Sequence, residues 1–360
     1  MIEPFIRQQV ANGTFPGISL LVASRGEVVY KRHFGFRTVW PQPEPLAAEV
    51  LYDLASLTKP LITAFLAAYF IEKKQWKLSD GVRRFFPACA LPVSLEQLLT
   101  HSAGFRPWHP FYLYRPLDDL SQIAAFPDTA APDTRVVYSD VGYILLRHLL
   151  EKVSGSGFRE LAAELIIDKL GLHDTFLGAV PLPRRGECAP TELGNRYEKG
   201  LCRAGHKEAA SRFAWRTGLI CGEVHDANSF YDGGSAGNAG LFSCAQDLLK
   251  MGREFFPATA TLLKSATLSL FWKNRTPWSA EGRTVGFLLN SSPRASGGSA
   301  LSPEAIGHSG FTGTSLWLEA QEQRQWIMLS NRVHPRVKKV NFNSLRRRLH
   351  RLLRSELGLP

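Results

Sequence analysis

Asp53-Leu54-Ala55-Ser56-Leu57-Thr58-Lys59 stands at the head of an apolar run, Leu57 to Lys73, that reads as a long helix. Ser56 and Lys59 are three residues apart, so on a helix their side chains share one face. A serine hydroxyl is a weak nucleophile until a base takes its proton, and a lysine serves as that base only when neutral. Desolvation against Leu61 and Ile62 would favour the neutral amine. The helix N-terminus adds backbone N–H groups that favour developing negative charge. The same spacing also suits a capping serine and a surface lysine, so its weight depends on what else the chain carries.

Further segments follow in order. Leu98-Leu99-Thr100-His101-Ser102-Ala103-Gly104-Phe105 comes about forty residues on, then Tyr138-Ser139-Asp140 before a helical stretch, Val141 to Val153. Gly307-His308-Ser309-Gly310-Phe311-Thr312-Gly313-Thr314 opens a strand late in the chain. With Gly237-Asn238-Ala239-Gly240-Leu241-Phe242-Ser243 and Asn331-Arg332-Val333-His334-Pro335, this ordered set resembles the serine β-lactamase-like family: class C β-lactamases, DD-peptidases and esterases of the same fold. The resemblance spans Pro16 to Arg332. It implies an α/β (α+β) fold of the β-lactamase/transpeptidase type, an antiparallel sheet flanked by helices plus a helical domain.

The resemblance also implies roles. Ser56 matches the acylated nucleophile, Lys59 its proton acceptor, and Tyr138 the tyrosine that relays protons to the leaving group. A phenol needs cationic neighbours for that task, and Lys59 is the expected one. The family has asparagine where this chain has Asp140. An ionised aspartate accepts hydrogen bonds but cannot donate them, and beside Lys59 it would raise the lysine's pKa and impair it as a base. Ser139-Asp140-Val141 can also be set against a Ser-Asp-Asn triplet, but it lacks the final asparagine. The family's Lys-Thr-Gly is His308-Ser309-Gly310 here, with Gly310 letting substrate approach the strand backbone. The amides of Ser56 and Phe311 would hold the oxyanion. Because His308 carries less charge than lysine, the departure favours ester, amide or D-amino-acid peptide hydrolysis over efficient β-lactam turnover. Asp140, His308, Gly310 and Phe311 are therefore the expected substrate-binding residues. The function expected is that of a serine hydrolase working through an acyl-enzyme on Ser56, with a catalytically silent penicillin-binding-like scaffold as the alternative.

The rest of the chain fits an enzyme of ordinary composition. It has 360 residues, 44% hydrophobic and 21% charged, which excludes disordered and fibrous classes. Helix signals at Ile2 to Val10, strand signals at Ile18 to Ala23 and Val28 to Phe34 around the turn Ser24–Glu27, and later strands at Thr284–Leu289, Thr314–Leu318 and Trp326–Ser330 place β structure at both ends. Helical and loop signals dominate between. The expected division is a sheet domain from 1–55 and 251–360 and a mainly helical domain from 56–250. His101 reads as a loop-holding residue rather than a base, and His225 with Asp226, and His334, read as structural. Trp108, Phe111, Tyr112 and Tyr114 read either as packed core or as a wall over the substrate. Five cysteines without a C-x-x-C pair read as isolated thiols, and no metal or organic cofactor is expected.

The net charge of +11 is local, since Arg332 to Arg354 holds nine cations and no acid. There Phe342, Leu345, Leu349, Leu352 and Leu353 recur at helical spacing, giving an apolar face and a basic face. Three readings stay open: a packed helix with a solvated basic face, peripheral contact with anionic lipid, and nucleic-acid binding. The last is not expected, because no nucleic-acid module accompanies the charge. The partner expected is a small-molecule or peptide substrate, with oligomeric state undetermined. No secretory signal is read at Met1-Ile2-Glu3-Pro4, so a cytoplasmic, membrane-peripheral location is the expectation.

Overall fold

The computed structural model describes residues 1–46, 50–87, 92–114 and 130–359. Cys89 and the last two residues of the Pro107–Pro116 loop lie outside them. Among the described residues, Cys188, Cys202, Cys221 and Cys244 are free thiols, and no helix is long and apolar enough to cross a membrane.

The helix Ile2–Ala11 leads into strands β1 (Gly17–Ser24) and β2 (Glu27–Thr38). Arg25 and Gly26 join them, both with positive φ, which matches the right-handed twist of a tight hairpin. Strand β3 is Glu44–Pro45, and β4 is Tyr52–Asp53. Later come β5 (Phe176–Leu177), β6 (Leu241–Ser243), β7 (Leu288–Leu289), β8 (Ile306–Ser309), β9 (Ser315–Glu319) and β10 (Arg324–Ser330). Seven strands form one sheet in the order β3-β2-β1-β10-β9-β8-β7, every neighbour antiparallel. Its strands come from residues 17–45 and 288–330.

The central strands are apolar on both faces because the sheet separates two cores. Ile18, Leu20 and Val22 of β1, Trp317 of β9, and Trp326 and Met328 of β10 face one core. There they meet Ile2 and Ile6 of the first helix and Phe342, Leu345, Leu349 and Leu353 of the helix Phe342–Glu356. Leu21, Ala23, Ile327 and Leu329 alternate to the other face and join the helical region around Leu57, Leu61, Leu66 and Leu248. The expected α+β architecture is therefore present, with helices on both faces of an antiparallel sheet.

Three details depart from the sequence reading. The run from Leu57 to Lys73 is not one regular helix: a 3-10 turn at Ala55–Leu57 opens into a wide π-type stretch, Lys59–Ala64, before the α-helix Phe65–Glu72. The strand expected at Thr284–Leu289 contracts to β7. The middle of the chain holds a small antiparallel sheet, β4-β6-β5, whose two- and three-residue strands carry no readable alternation. That sheet positions the turn carrying Ser56, since Leu54 N–H donates to Leu241 O at 2.8 Å.

Candidate active site

The chain leaves β4 through a tight turn held by Asp53. This buried carboxylate accepts from the Ala55 amide at 2.8 Å and the His225 amide at 2.7 Å. Ala55 has φ 49, a left-handed conformation that costs an alanine roughly 1–2 kcal/mol. Thr58 Oγ1 holds the same residue from the other side, donating to Ala55 O at 2.7 Å. Ser56 thus projects from a strained, over-determined turn into the cleft.

Lys59 lies directly behind it and is fully buried. Its Nζ donates to Ser56 Oγ at 3.2 Å, to Asp140 Oδ1 at 2.5 Å and to Asn238 O at 3.0 Å. Three acceptors use all three ammonium hydrogens, so the resting lysine has no lone pair to offer Ser56. The electrostatics agree: burial pushes its pKa down, but Asp140 and Tyr138 outweigh burial and hold it above the ordinary lysine value. The neutral amine expected from desolvation is therefore not the resting state, whereas the expected Asp140 pairing is present.

Tyr138 sits beside both groups, with Lys59 Nζ 5.0 Å from its ring centroid. Burial raises the phenol's pKa, Asp140 adds to it, and Lys59 only partly offsets them. At rest Tyr138 is a proton donor. It is presented by the segment entering the helix Asp140–Ser154, whose N-cap Ser139 accepts from Gly142 N–H at 3.2 Å and donates to Arg106 O at 2.7 Å. His101 Nδ1 accepts from Ser139 N–H at 3.0 Å, and its ring packs 4.5 Å from that of Tyr138. Burial, with Arg283 and Lys59 nearby, holds His101 neutral, so it supports the loop as expected. His334 does likewise, engaging Thr191 O and Thr38 Oγ1.

Strand β8 forms the facing wall. His308 is buried and neutral, its pKa depressed by burial and by Lys59 and Arg283, so it does not replace the charge of a lysine. Gly310 lines the cleft, but the need for glycine comes from the protein itself. A Cβ there would lie 2.1 Å from Thr314 Oγ1 and 2.5 Å from Leu54 O. Thr312 Oγ1 donates to Asp53 O at 2.7 Å and Thr314 Oγ1 to Leu54 O at 3.0 Å, tying this turn to the Ser56 turn. The Ser56 and Phe311 residues consequently share one cleft.

That cleft has two arms meeting at Ser56, Tyr138 and Phe311. The larger, about 470 Å³, runs along His308–Phe311 and is lined by Arg283, Arg294, Arg332 and Arg346. Its one carboxylate, Glu281, is bound to Arg283 at 2.5 Å. The smaller, about 260 Å³, passes Trp108 and Tyr197 and is lined by Asp140, Glu198 and Asp226. The aromatic loop divides accordingly: Phe111 and Tyr112 are core, Trp108 is cleft wall, and Tyr114 is surface.

The sequence reading missed Glu198 and Arg283, neither of which sits in a motif, took Asp226 as structural, and gave Arg346 no role beyond the basic charge of its helix. Asn238 lay inside the glycine-rich box that drew notice but carried no assigned role. Arg346 belongs to the basic helix, whose charge is less solvated than expected. Its guanidinium is buried, and Nη2 donates to Gly310 O at 3.1 Å and Thr314 O at 2.8 Å. Arg347 donates to Ala295 O and Pro293 O. One group could be weighed as a metal site: Asp174, Cys244 and Asp247 approach within 4.8 Å of one another. Their carboxylates already serve Arg184, Lys250, Thr175 and the Asp174 amide.

A family model described as Beta-lactamase matches residues 2–348. A protein of Escherichia coli (strain K12) with the provisional name D-alanyl-D-alanine carboxypeptidase is 27% identical, over 93% of this chain and 82% of its own. Among solved structures, an octameric penicillin-binding protein homologue from Pyrococcus abyssi superposes with TM-score 0.72 at 22% identity, covering 99% of this chain and 77% of that one. Simvastatin synthase (LovD) from Aspergillus terreus does so with TM-score 0.73 at 17% identity, covering 100% and 98%.

Proposed function

The chain belongs to the β-lactamase family, and from that premise we propose that Ser56 is the acylated nucleophile of a hydrolase for carboxylate-bearing D-amino-acid peptides or related esters. The observation that carries this is Lys59 Nζ at 3.2 Å from Ser56 Oγ, on the floor of a cleft with an arginine-lined arm. Lys59 first loses a proton to solvent, and the neutral amine then takes that of Ser56 as Oγ attacks the carbonyl. The amides of Ser56 and Phe311 hold the oxyanion. Tyr138 donates its phenolic proton to the departing nitrogen or oxygen and is reprotonated from Lys59. Water then attacks the acyl-enzyme and restores Ser56.

Arg283, Arg294 and Arg332 supply the positive charge that His308 lacks, so the arm they line suits a carboxylate on the leaving group. The name of the E. coli relative points the same way. The test pairs intact-protein mass with product release. A fluorophosphonate should add its mass to the wild type and leave Ser56→Ala unmodified. N-acylated D-alanyl-D-alanine should be cleaved at least about tenfold faster than its C-terminal amide, the factor of a single ~1.4 kcal/mol contact. Labelling that survives in Ser56→Ala would reject the nucleophile, and equal cleavage of acid and amide would reject the carboxylate arm.

Peripheral contact with an anionic bilayer also belongs to this reading, because Arg336, Lys339, Arg348 and Arg351 remain exposed. Flotation with phosphatidylserine vesicles should recover the wild type and lose a variant with these four changed to glutamine. Unchanged partitioning would dismiss the contact.

A further inference from the structure

The smaller arm has a chemistry opposite to the larger one. Asp140, Glu198 and Asp226 bring three carboxylates to it and Asn238 an amide oxygen, beside the hydroxyls of Ser56, Tyr138 and Tyr197. Among the described residues, no lysine or arginine lines it. Its one other ionisable nitrogen ring, His225, is taken up by Glu192 at 3.2 Å.

Asp140 is paired with Lys59 at 2.5 Å, whereas Glu198 and Asp226 are held by neutral groups. Glu198 accepts from Tyr112 OH at 2.9 Å and from Ala227 N–H at 3.0 Å. Asp226 accepts from Ser229 N–H at 2.7 Å. Such donors fix the oxygens in place but do not cancel their charge. The consequence is visible in Glu198, which burial and the neighbouring Asp226 push up to about 7. Asn238 adds an independent sign. It is 1% exposed and lines the arm, yet its Oδ1 has no hydrogen-bond partner among the described residues. A buried acceptor without a donor is costly, and a donor-rich ligand would remove the cost. Around these acceptors stand the rings of Trp108, Tyr197 and Phe311, and an aromatic face attracts a cation.

We infer that this arm binds a cationic amine carried on the acyl portion of the substrate. The assignment to the acyl portion rests on the proposal above, in which the arginine-lined arm takes the leaving group and its carboxylate. The ammonium would donate toward Asn238 Oδ1 and the Glu198 and Asp226 carboxylates while its methylenes lie against Trp108 and Tyr197. The substrate class that follows carries a positive end and a negative end on opposite sides of the scissile bond.

The test uses p-nitroanilides that differ only in charge. D-alanyl and 6-aminohexanoyl p-nitroanilide are each set beside the isostere in which methyl replaces ammonium, namely isobutyryl and heptanoyl. Two quantities are read: kcat/KM for the wild type, and Kd by calorimetry for Ser56→Ala, which binds but cannot acylate. At least one ammonium form should be preferred by about tenfold or more in both readouts. Glu198→Gln, whose oxygen keeps the bond from Ala227 N–H and whose Nε2–H can donate to the Tyr112 hydroxyl in place of accepting from it, and Asp226→Asn, which keeps the helix cap, should each cut that preference at least about fivefold. Isosteres that bind Ser56→Ala as tightly as the amines, or no binding of either form, would overturn the inference. A preserved preference in Kd with turnover that survives in Ser56→Ala would instead overturn the Ser56 reading and leave the amine site standing.

Discussion

Asp140 decides how Lys59 behaves at rest. An asparagine there would leave burial unopposed by a carboxylate, and burial alone lowers a lysine pKa. Lys59 accepts a proton only when neutral, and its raised pKa confines the neutral form to alkaline pH, so wild-type kcat/KM should climb as pH rises. In Asp140→Asn the climb should move to lower pH. The midpoint of the climb should fall by about one pH unit, and kcat/KM at any pH below both midpoints should rise by about tenfold, the effect of one ~1.4 kcal/mol interaction. A climb that stays in place or moves to higher pH would show that Asp140 does not control the base. At this scale Ser56, Lys59 and Tyr138 were legible, because their chemistry requires those residue types at short range. Asp140 was legible as a departure. Glu198 was not, and Asp226 was visible beside His225 only as a structural residue, since the two carboxylates meet only through folding.

Helices and strands show the same division. The apolar, β-rich run of β1, buried on both faces, and the i, i+3, i+4 stripe of Phe342–Glu356, which buries one face, were readable. The π-type stretch at Lys59–Ala64 was not, since an apolar run buried all round carries no phase to reveal a change of pitch. Nor did the basic helix reveal that Arg346 points inward. Burial pushes its pKa down to about 9, with Arg332 adding to the effect, and its two carbonyl contacts brace the turn that presents the Phe311 amide. On the proposed mechanism it would act as a positioning residue, from a helix that contributes no reacting atom. Arg346→Met should lower kcat by about 10–100-fold, in the range of a displaced oxyanion donor, while KM changes by less than about threefold. A rise in KM with kcat unchanged would instead make Arg346 a substrate contact.

Across the whole molecule, composition and length indicated a globular enzyme, but the net charge of +11 was a poor guide to its surface because part of it is turned inward. The core between sheet and flanking helices also stores a pH dependence. His350 is fully buried and its pKa is pushed down to about 3 by burial. The unfolded chain takes up this proton near ~6.5 and the folded one does not, so this part of stability is complete above that pH and is lost as pH falls. Between about pH 6 and pH 4, His350→Gln should flatten the fall of unfolding free energy by about 1.4 kcal/mol per pH unit, measured by urea titration. An unchanged slope would mean that His350 is protonated in the native core. The order of the sheet has a separate implication for biosynthesis. β1 pairs with β10, and β8 reaches β1 only through β9 and β10. On the ribosome, Ser56 is therefore made long before the wall that faces it. The nascent chain carries β1 with one edge open until residues 324–330 emerge, and through that interval it depends on chaperones or on prompt completion to avoid pairing with another strand.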